Sequence, residues 1–316
     1  MFKSCPEKFR NRYVDEISPL GYGGSRSQNF GTRVHDALEL FHNEPPVDTE
    51  WGPGHPVYDW IIRSYKGVEL YLKNREFKDF CQLMGIMKAY CARYPDGSNE
   101  WEPVCLEEEF AVPLLGPDGE SIYTPDGRQY YKSGKVDGLV RFTDGPWKGE
   151  YALLEHKTAA RADYTYFERI WMDRQTHQYA LYLARQMGIE IRFIVYNVLG
   201  KMKPLQPKTG NKSKKTAAGV SAEYLLRTCG RYVKADNFIR TVYDVDTKTA
   251  KEIELESFFL AQHINKCWES GQWWKTTMSC FEYFSKCPYW DLCKHHRSDE
   301  AMKLYEHKEA HEELSQ

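Results

Sequence analysis

No stretch of this sequence reaches the roughly 18 consecutive apolar residues that a membrane-spanning helix needs. The N-terminal MFKSCPEKFRNRY has no apolar core of the kind a secretory leader carries. Strong net charge is also missing. Lys and Arg total 43 against 45 Asp and Glu, leaving −2. A globally basic nucleic-acid binder is therefore excluded, and any such contact must come from local patches. These absences predict a cytoplasmic protein with no membrane partner. Nine cysteines, an odd number, then sit in a reducing compartment, where clustered thiols bind metal more often than they pair.

What is present is ordinary for a globular chain: 41% hydrophobic and 28% charged residues over 316 positions. That length allows one large α/β domain or two smaller ones. Aromatics reach 15%; most belong in a core, and some can stack on bases.

Residues 4–14 read as a helix with Pro6 in its first turn. The Gly- and Ser-rich SPLGYGGSRSQNFG predicts a loop. Thr32–Phe41 is an amphipathic helix with Val34, Ala37, Leu38 and Phe41 on its apolar face. His35 and Glu39 border that stripe, four apart. A second helical region spans Val57–Tyr94. Val104–Val112 predicts one strand with Leu106, Glu108, Phe110 and Val112 on one face, which leaves Glu108 as a partly buried acid near a metal site or, in another register, in solvent. A helix over Tyr164–Met187 carries Gln175 and Tyr179, and Ile191–Leu199 is a buried strand. Six lysines within residues 201–215 form the strongest basic patch, fit for phosphate contact or for solvent. A helix over 246–270 places Phe258, Phe259, Leu260 and Ile264 inside. The charged tail from Ser298 predicts a solvated helix.

The centre of the chain is YALLEHKT, Tyr151–Thr158. On a strand Glu155 and Lys157 face one way and His156 the other. Upstream, Gly134–Val140 is a second strand candidate with Asp137 in its middle, and Gly145–Glu150 supplies a hairpin turn. Asp137 and Glu155 on neighbouring strands offer two hard oxygen ligands suited to Mg²⁺ or Mn²⁺. Lys157 would hold or polarise the water or phosphate beside them. Taken singly, these patterns also fit surface charges and a structural helical histidine.

His35, Asp137, Glu155-x-Lys157 and Gln175-x-x-x-Tyr179 follow one another in that order. The set resembles the RecB-type branch of the PD-(D/E)XK nuclease superfamily, which includes phage exonucleases, AddB-type nucleases and CRISPR-associated RecB-like exonucleases. The resemblance runs from SCPEKF to CPYWDLC. It implies an α/β fold with a restriction-endonuclease-like core, a central mixed β-sheet flanked by helices. It implies that His35, Asp137 and Glu155 bind the metal with the His156 carbonyl, that Lys157 is the catalytic lysine beside Glu155 and Asp137, and that Gln175 and Tyr179 support DNA and active site. Glu39 would at most assist a second metal. Lys157 could orient or deprotonate water or stabilise developing charge; the sequence leaves these open.

Cysteines extend the resemblance. In iron–sulfur members of the branch, an N-terminal Cys in a C-P-x-x-[FY] context joins three C-terminal ones around a [4Fe-4S] cluster. Here Cys5 lies in CPEKF, and Cys287-x5-Cys293 matches the closing pair. The third C-terminal ligand departs from the usual spacing; Cys280 is the first choice and Cys267 the reserve. Zinc would accept the same thiolates.

The expectation is one nuclease domain over 1–316, with a helical insertion at about 55–100 and a cysteine staple joining 1–13 to 276–294. Its activity would be metal-dependent DNA cleavage, exonucleolytic on ends or single strands, in recombination, repair or end-processing in a bacterial or phage-infected cell. Any helicase or recombination partner would be a separate chain. The rivals are a non-catalytic iron–sulfur or zinc nucleic-acid-binding module with a vestigial site, and another acid–metal enzyme on the same core.

Overall fold

The computed structural model describes residues 1–21, 26–43, 45, 50–65, 75–95, 100–159, 163–170, 173–201, 238–282 and 285–309. Along the chain run α1 (Pro6–Phe9), a π-helical turn (Arg10–Val14), β1 (Ile17–Pro19), α2 (Arg26–Asn43), α3 (Pro56–Ser64) and α4 (Arg75–Arg93). Next come β2 (Trp101–Leu106), β3 (Glu109–Pro113), β4 (Tyr131–Lys135), β5 (Gly138–Phe142), β6 (Tyr151–Ala159), α5 (Tyr164–Ile170), α6 (Arg174–Met187), β7 (Ile191–Gly200) and β8 (Phe238–Asp244). The remainder holds α7 (Thr247–Ser270), β9 (Phe281–Glu282), β10 (Ser285–Lys286), α8 (Trp290–Lys294), α9 (Asp299–Met302) and β11 (Tyr305–His307).

Two compact units result. One comprises Met1–Gly24, Glu109–Gly134 and Lys248–Gln316; the other comprises Ser25–Glu108 and Lys135–Thr247. The second unit is the expected α/β core. Its five-stranded sheet runs β2-β5-β6-β7-β8. Only β6 and β7 are parallel, and a parallel pair needs a helical crossover, which α5 and α6 supply. Strands buried on both faces read as continuous apolar runs, and Ala152, Leu153 and Leu154 are all buried in β6. Gly138 answers to close approach: a Cβ there would lie 2.8 Å from the Leu106 side chain. Asp173 caps α6 by accepting from the Gln175 N–H at 3.0 Å, and left-handed Gly188 ends it at φ 66°. The predicted stripe of α2 packs with Ile61 of α3 and Ile86 and Met87 of α4.

The first unit gathers both chain ends. β1 pairs with β11, β3 with β4, and Phe2 packs on Ile264 and Cys267 of α7. Arg297 binds Asn11 and, at 2.7 Å, Asp15.

Several expectations need correcting. Val104–Val112 is two strands broken at Glu107, and Gly134–Val140 is two strands with Asp137 between them. The helix over Tyr164–Met187 is two helices, because Asp173 begins a new one. α2 starts at Arg26, within the expected loop, because the turn signal of Gly31 yields to the tertiary packing of Phe30. Phe259 is 51% exposed, since α7 turns that face outward. The tail forms a short helix and a strand, drawn in by pairing with β1. The lysine-rich segment beyond Lys201 lies outside the described residues, as does residue 229. Among the described residues no helix is long and apolar enough to cross a membrane.

Candidate metal centre

His35 reaches the site because it flanks Val34 on the buried face of α2. Its Nδ1 lies 2.9 Å from Asp137 Oδ1. The other Asp137 oxygen accepts the backbone N–H of His156 at 2.6 Å. One carboxylate thus ties the helix to the edge of β6. The break between β4 and β5 frees Asp137 to turn in this way; a residue locked in the middle of a strand would lie on one sheet face.

The third convergent ligand is one that alternation missed. Glu107, His35 and Asp137 offer ligand atoms within 4.8 Å of one another, and no other such group of His, Cys, Asp or Glu exists among the described residues. Glu107 has φ 51°, a left-handed value uncommon outside glycine. Its N–H donates to the Asp137 carbonyl at 3.1 Å, and its carboxylate pairs with Lys135 at 3.0 Å. The left-handed residue shifts strand parity, so Glu107 takes the place expected of Glu108. Neither Glu39 nor the expected ligand Glu155 is among the convergent atoms, the Glu155 carboxylate being turned to Lys157 instead.

Glu155 and Lys157 share one face of β6 as expected, paired to each other. Burial raises the Glu155 carboxyl to about 7, with Asp137 adding repulsion and Lys157 opposing both. Burial alone would depress Lys157, but Glu155 outweighs it and raises the ammonium above its ordinary value. His35 behaves alike: desolvation lowers it, yet the hydrogen bond and charge of Asp137, with Glu107 and Glu155, raise it overall. The pocket is rich in negative charge, and a cation would relieve it. One imidazole nitrogen and several carboxylate oxygens form a donor set that fits Mg²⁺ or Mn²⁺.

On α6, Gln175 hydrogen-bonds the Tyr179 phenol, which feels the charges of Glu155, Lys157 and Asp137. Both therefore border the centre. Tyr196 of β7 donates to Asp173 at 2.6 Å, locking the start of that helix.

Behind β6 lies a buried polar network. The His156 ring stacks on His42, 5.5 Å between centroids and 4° apart in plane. Asn197 lies 2.8 Å from His156 Nδ1 and donates to Tyr90 at 2.9 Å. His42 and Arg240 also reach the Tyr90 hydroxyl, at 3.1 and 2.7 Å. Arg240 in turn lies 3.5 Å from the centroid of the Tyr94 ring. These residues fix the strand segment whose backbone holds Asp137.

A separate feature belongs to the first unit. Cys5, Cys280, Cys287 and Cys293 line one cavity of about 230 Å³, together with Lys8 and Lys275. Burial pushes Cys293 up to about 11, partly opposed by Lys275. Cys267, the reserve ligand, instead packs with Phe2 and Ile264.

The family model of the PD-(D/E)XK nuclease superfamily matches residues 1–294. The chain belongs to that superfamily. No curated protein matches it. Membership of the PD-(D/E)XK superfamily makes the expected α/β architecture with its mixed sheet the observed one. It also makes the chain a member of a metal-dependent nuclease family with DNA as the implied substrate. For a PD-(D/E)XK chain, Glu107 offers an early test. Glu107→Gln is expected to weaken Mn²⁺ binding by about tenfold or more, because ligand charge sets the affinity of such sites. Titration followed by electron paramagnetic resonance reads this directly, and unchanged affinity would leave Glu107 as a partner of Lys135 only.

Proposed function

We propose that this chain is a RecB-type exonuclease that hydrolyses DNA from ends or single strands. The convergence of His35 and Asp137 beside the Glu155–Lys157 pair carries this reading. His35, Asp137, Glu155 and the His156 carbonyl would hold the metal, with Glu107 as a further ligand. When bound, Mg²⁺ or Mn²⁺ neutralises phosphate oxygens and lowers the pKa of water. Glu155 raises the Lys157 ammonium above its ordinary value. A charged Lys157 would donate to the phosphate or the attacking water. His35 must lose its proton when it turns Nδ1 to a cation. Gln175 and Tyr179 bracket the approach along α6 and hold the strand.

Both compact units are read as one nuclease domain, since the family match spans segments of each. Residues of the first unit would hold the iron–sulfur staple. Tetrahedral zinc with bonds of about 2.3 Å brings its sulfurs to about 3.8 Å of one another. No three of the four thiols here converge within 4.8 Å, although all line one cavity. Four thiols on one cavity could hold a larger group, a [4Fe-4S] cluster. Protein purified without oxygen is expected to absorb broadly in the visible blue, and Cys287→Ser to lose the band. A colourless protein containing zinc would overturn the cluster assignment alone.

The cleavage test uses end-labelled linear single-stranded DNA, a circular strand of the same sequence, and Mg²⁺ with or without EDTA. Stepwise loss of nucleotides from the linear strand alone, abolished by EDTA, is the expected result. Cutting of the circle would make the chain an endonuclease. Binding without cleavage in Mg²⁺ and Mn²⁺ would make it a nucleic-acid-binding module. Its place would be bacterial or phage recombination or repair, with any helicase on another chain.

A further inference from the structure

The first unit holds a second cavity, of about 600 Å³, within the roughly 300–1,000 Å³ usual for small-molecule sites. Nothing in the catalytic reading uses it. Its walls include Phe2, Phe9, Tyr13, Tyr130, Tyr131 and Trp268. Three cations, Lys3, Arg128 and Lys132, also line it, with one carboxylate, Glu16, that pairs with His307 at 3.1 Å.

The charges do not balance locally. Arg128 is satisfied by Asp126, at 2.9 Å, and lies 5.4 Å from the centroid of the Trp268 ring. Lys3 pairs with Glu256. The Lys132 ammonium makes no ion pair or hydrogen bond among the described residues. Its ammonium is depressed to about 8, by burial first and then by Lys3, against a weaker pull from Glu256. Two lysines therefore share one carboxylate. A lysine partly withdrawn from water beside another lysine is stabilised by an anion. Aromatic walls beside it suit a flat apolar body, and Arg128 on Trp268 braces one such ring.

We propose that this cavity binds a nucleoside phosphate, its phosphate at Lys3 and Lys132 and its base on the aromatic wall around Trp268, presented free or as one unit of a DNA strand. Phosphate accepts from two ammonium groups at once, and base–aromatic stacking tolerates any base. The strand as source rests on the nuclease reading. The cavity would then act as a second grip on DNA, apart from the metal centre.

The test runs in EDTA, so that metal-dependent cleavage does not enter, and cleavage in Mg²⁺ is measured separately. Calorimetry follows thymidine 5′-monophosphate, hexyl phosphate and inorganic phosphate; fluorescence anisotropy follows a labelled short oligothymidylate. Thymidine monophosphate, the oligonucleotide or both should bind, and the pattern tells the free ligand from the strand. Lys132→Met should weaken that binding by about tenfold or more, the worth of a hydrogen bond to a charged group. Lys132→Arg should retain it, which separates lost charge from lost folding. Trp268→Leu should erase the preference for thymidine monophosphate over hexyl phosphate. Equal binding by wild type and Lys132→Met, equal affinity for hexyl phosphate in the wild type, or no binding of either thymidine ligand would overturn the proposal. An inactive nuclease that still binds thymidine monophosphate through Lys132 would leave it standing.

Discussion

Lys157→Ala is expected to slow Mg²⁺-dependent DNA cleavage by about 10²–10⁴-fold, the range spanned by a single positioned proton donor or charge-stabilising group. The ammonium is the partner of a carboxylate that is almost wholly buried. Its removal leaves Glu155 facing Asp137 with its opposing cation gone. The Glu155 carboxyl, already raised to about 7, should rise further, and the site as a whole becomes more negative. Mn²⁺ affinity above neutral pH should therefore hold or rise in the same variant, because a repelling cation has gone. Lys157→Arg keeps the charge and should restore the wild-type metal affinity better than the rate, because a guanidinium does not occupy the same point. Single-turnover kinetics at saturating Mn²⁺ separate chemistry from metal binding. A rate within about tenfold of wild type there, below the usual worth of such a group, would remove Lys157 from the chemistry.

Acidification is expected to destabilise the fold through His42, by about 2 kcal/mol between pH 7 and pH 5. Burial, reinforced by Arg240, lowers this imidazole to about 3, whereas the unfolded chain takes its proton near 6.5. Unfolded molecules therefore bind more protons below pH 6.5. Stability from this group is complete above that value and is lost as pH falls towards 3. His156 has the same sign, since burial and the neighbouring His42, His35 and Arg240 hold it well below its ordinary value. Glu155 and His35 are raised and run the other way, gaining stability over part of the same window. The His42 contribution is thus read as a difference. Urea denaturation of wild type and His42→Gln should show wild type losing about 2 kcal/mol relative to the variant over that range. Parallel stability curves would mean that the ring takes up its proton over the same pH range folded and unfolded.

Local rules carried the sequence reading as far as they operate. Alternation along YALLEHKTA put Glu155 and Lys157 on one face and His156 on the other, and their contacts agree. The apolar stripe of α2 was legible because its period is set within a single helix. Glu107 was not legible. Counting by twos from Leu106 reaches Glu108, and only the left-handed backbone at 107 reverses the parity. Nothing in LEEEF announces that conformation, since neither Gly nor Asn marks it. The network behind β6 was hidden for another reason: Tyr90, Asn197 and Arg240 come from α4, β7 and β8 and meet only after folding. A signal did exist. Asn197 interrupts the run IRFIVYNVL and His42 follows buried Phe41; a polar side chain among buried neighbours must find partners. The tail misled because its charges describe a solvated helix in isolation, whereas the open edge of β1 recruits it as a strand.

The pairing of β1 with β11 bears on how far this polypeptide can be shortened. The superfamily match stops at residue 294, and that position invites truncation. A chain ending there would shed Arg297 and the strand that covers Ile17–Pro19. Asp15 would lose its guanidinium, and an unprotected β-edge would face solution, a ready template for self-association. Aggregation during purification of such a shortened form would then reflect a missing seam at the termini rather than a damaged catalytic core.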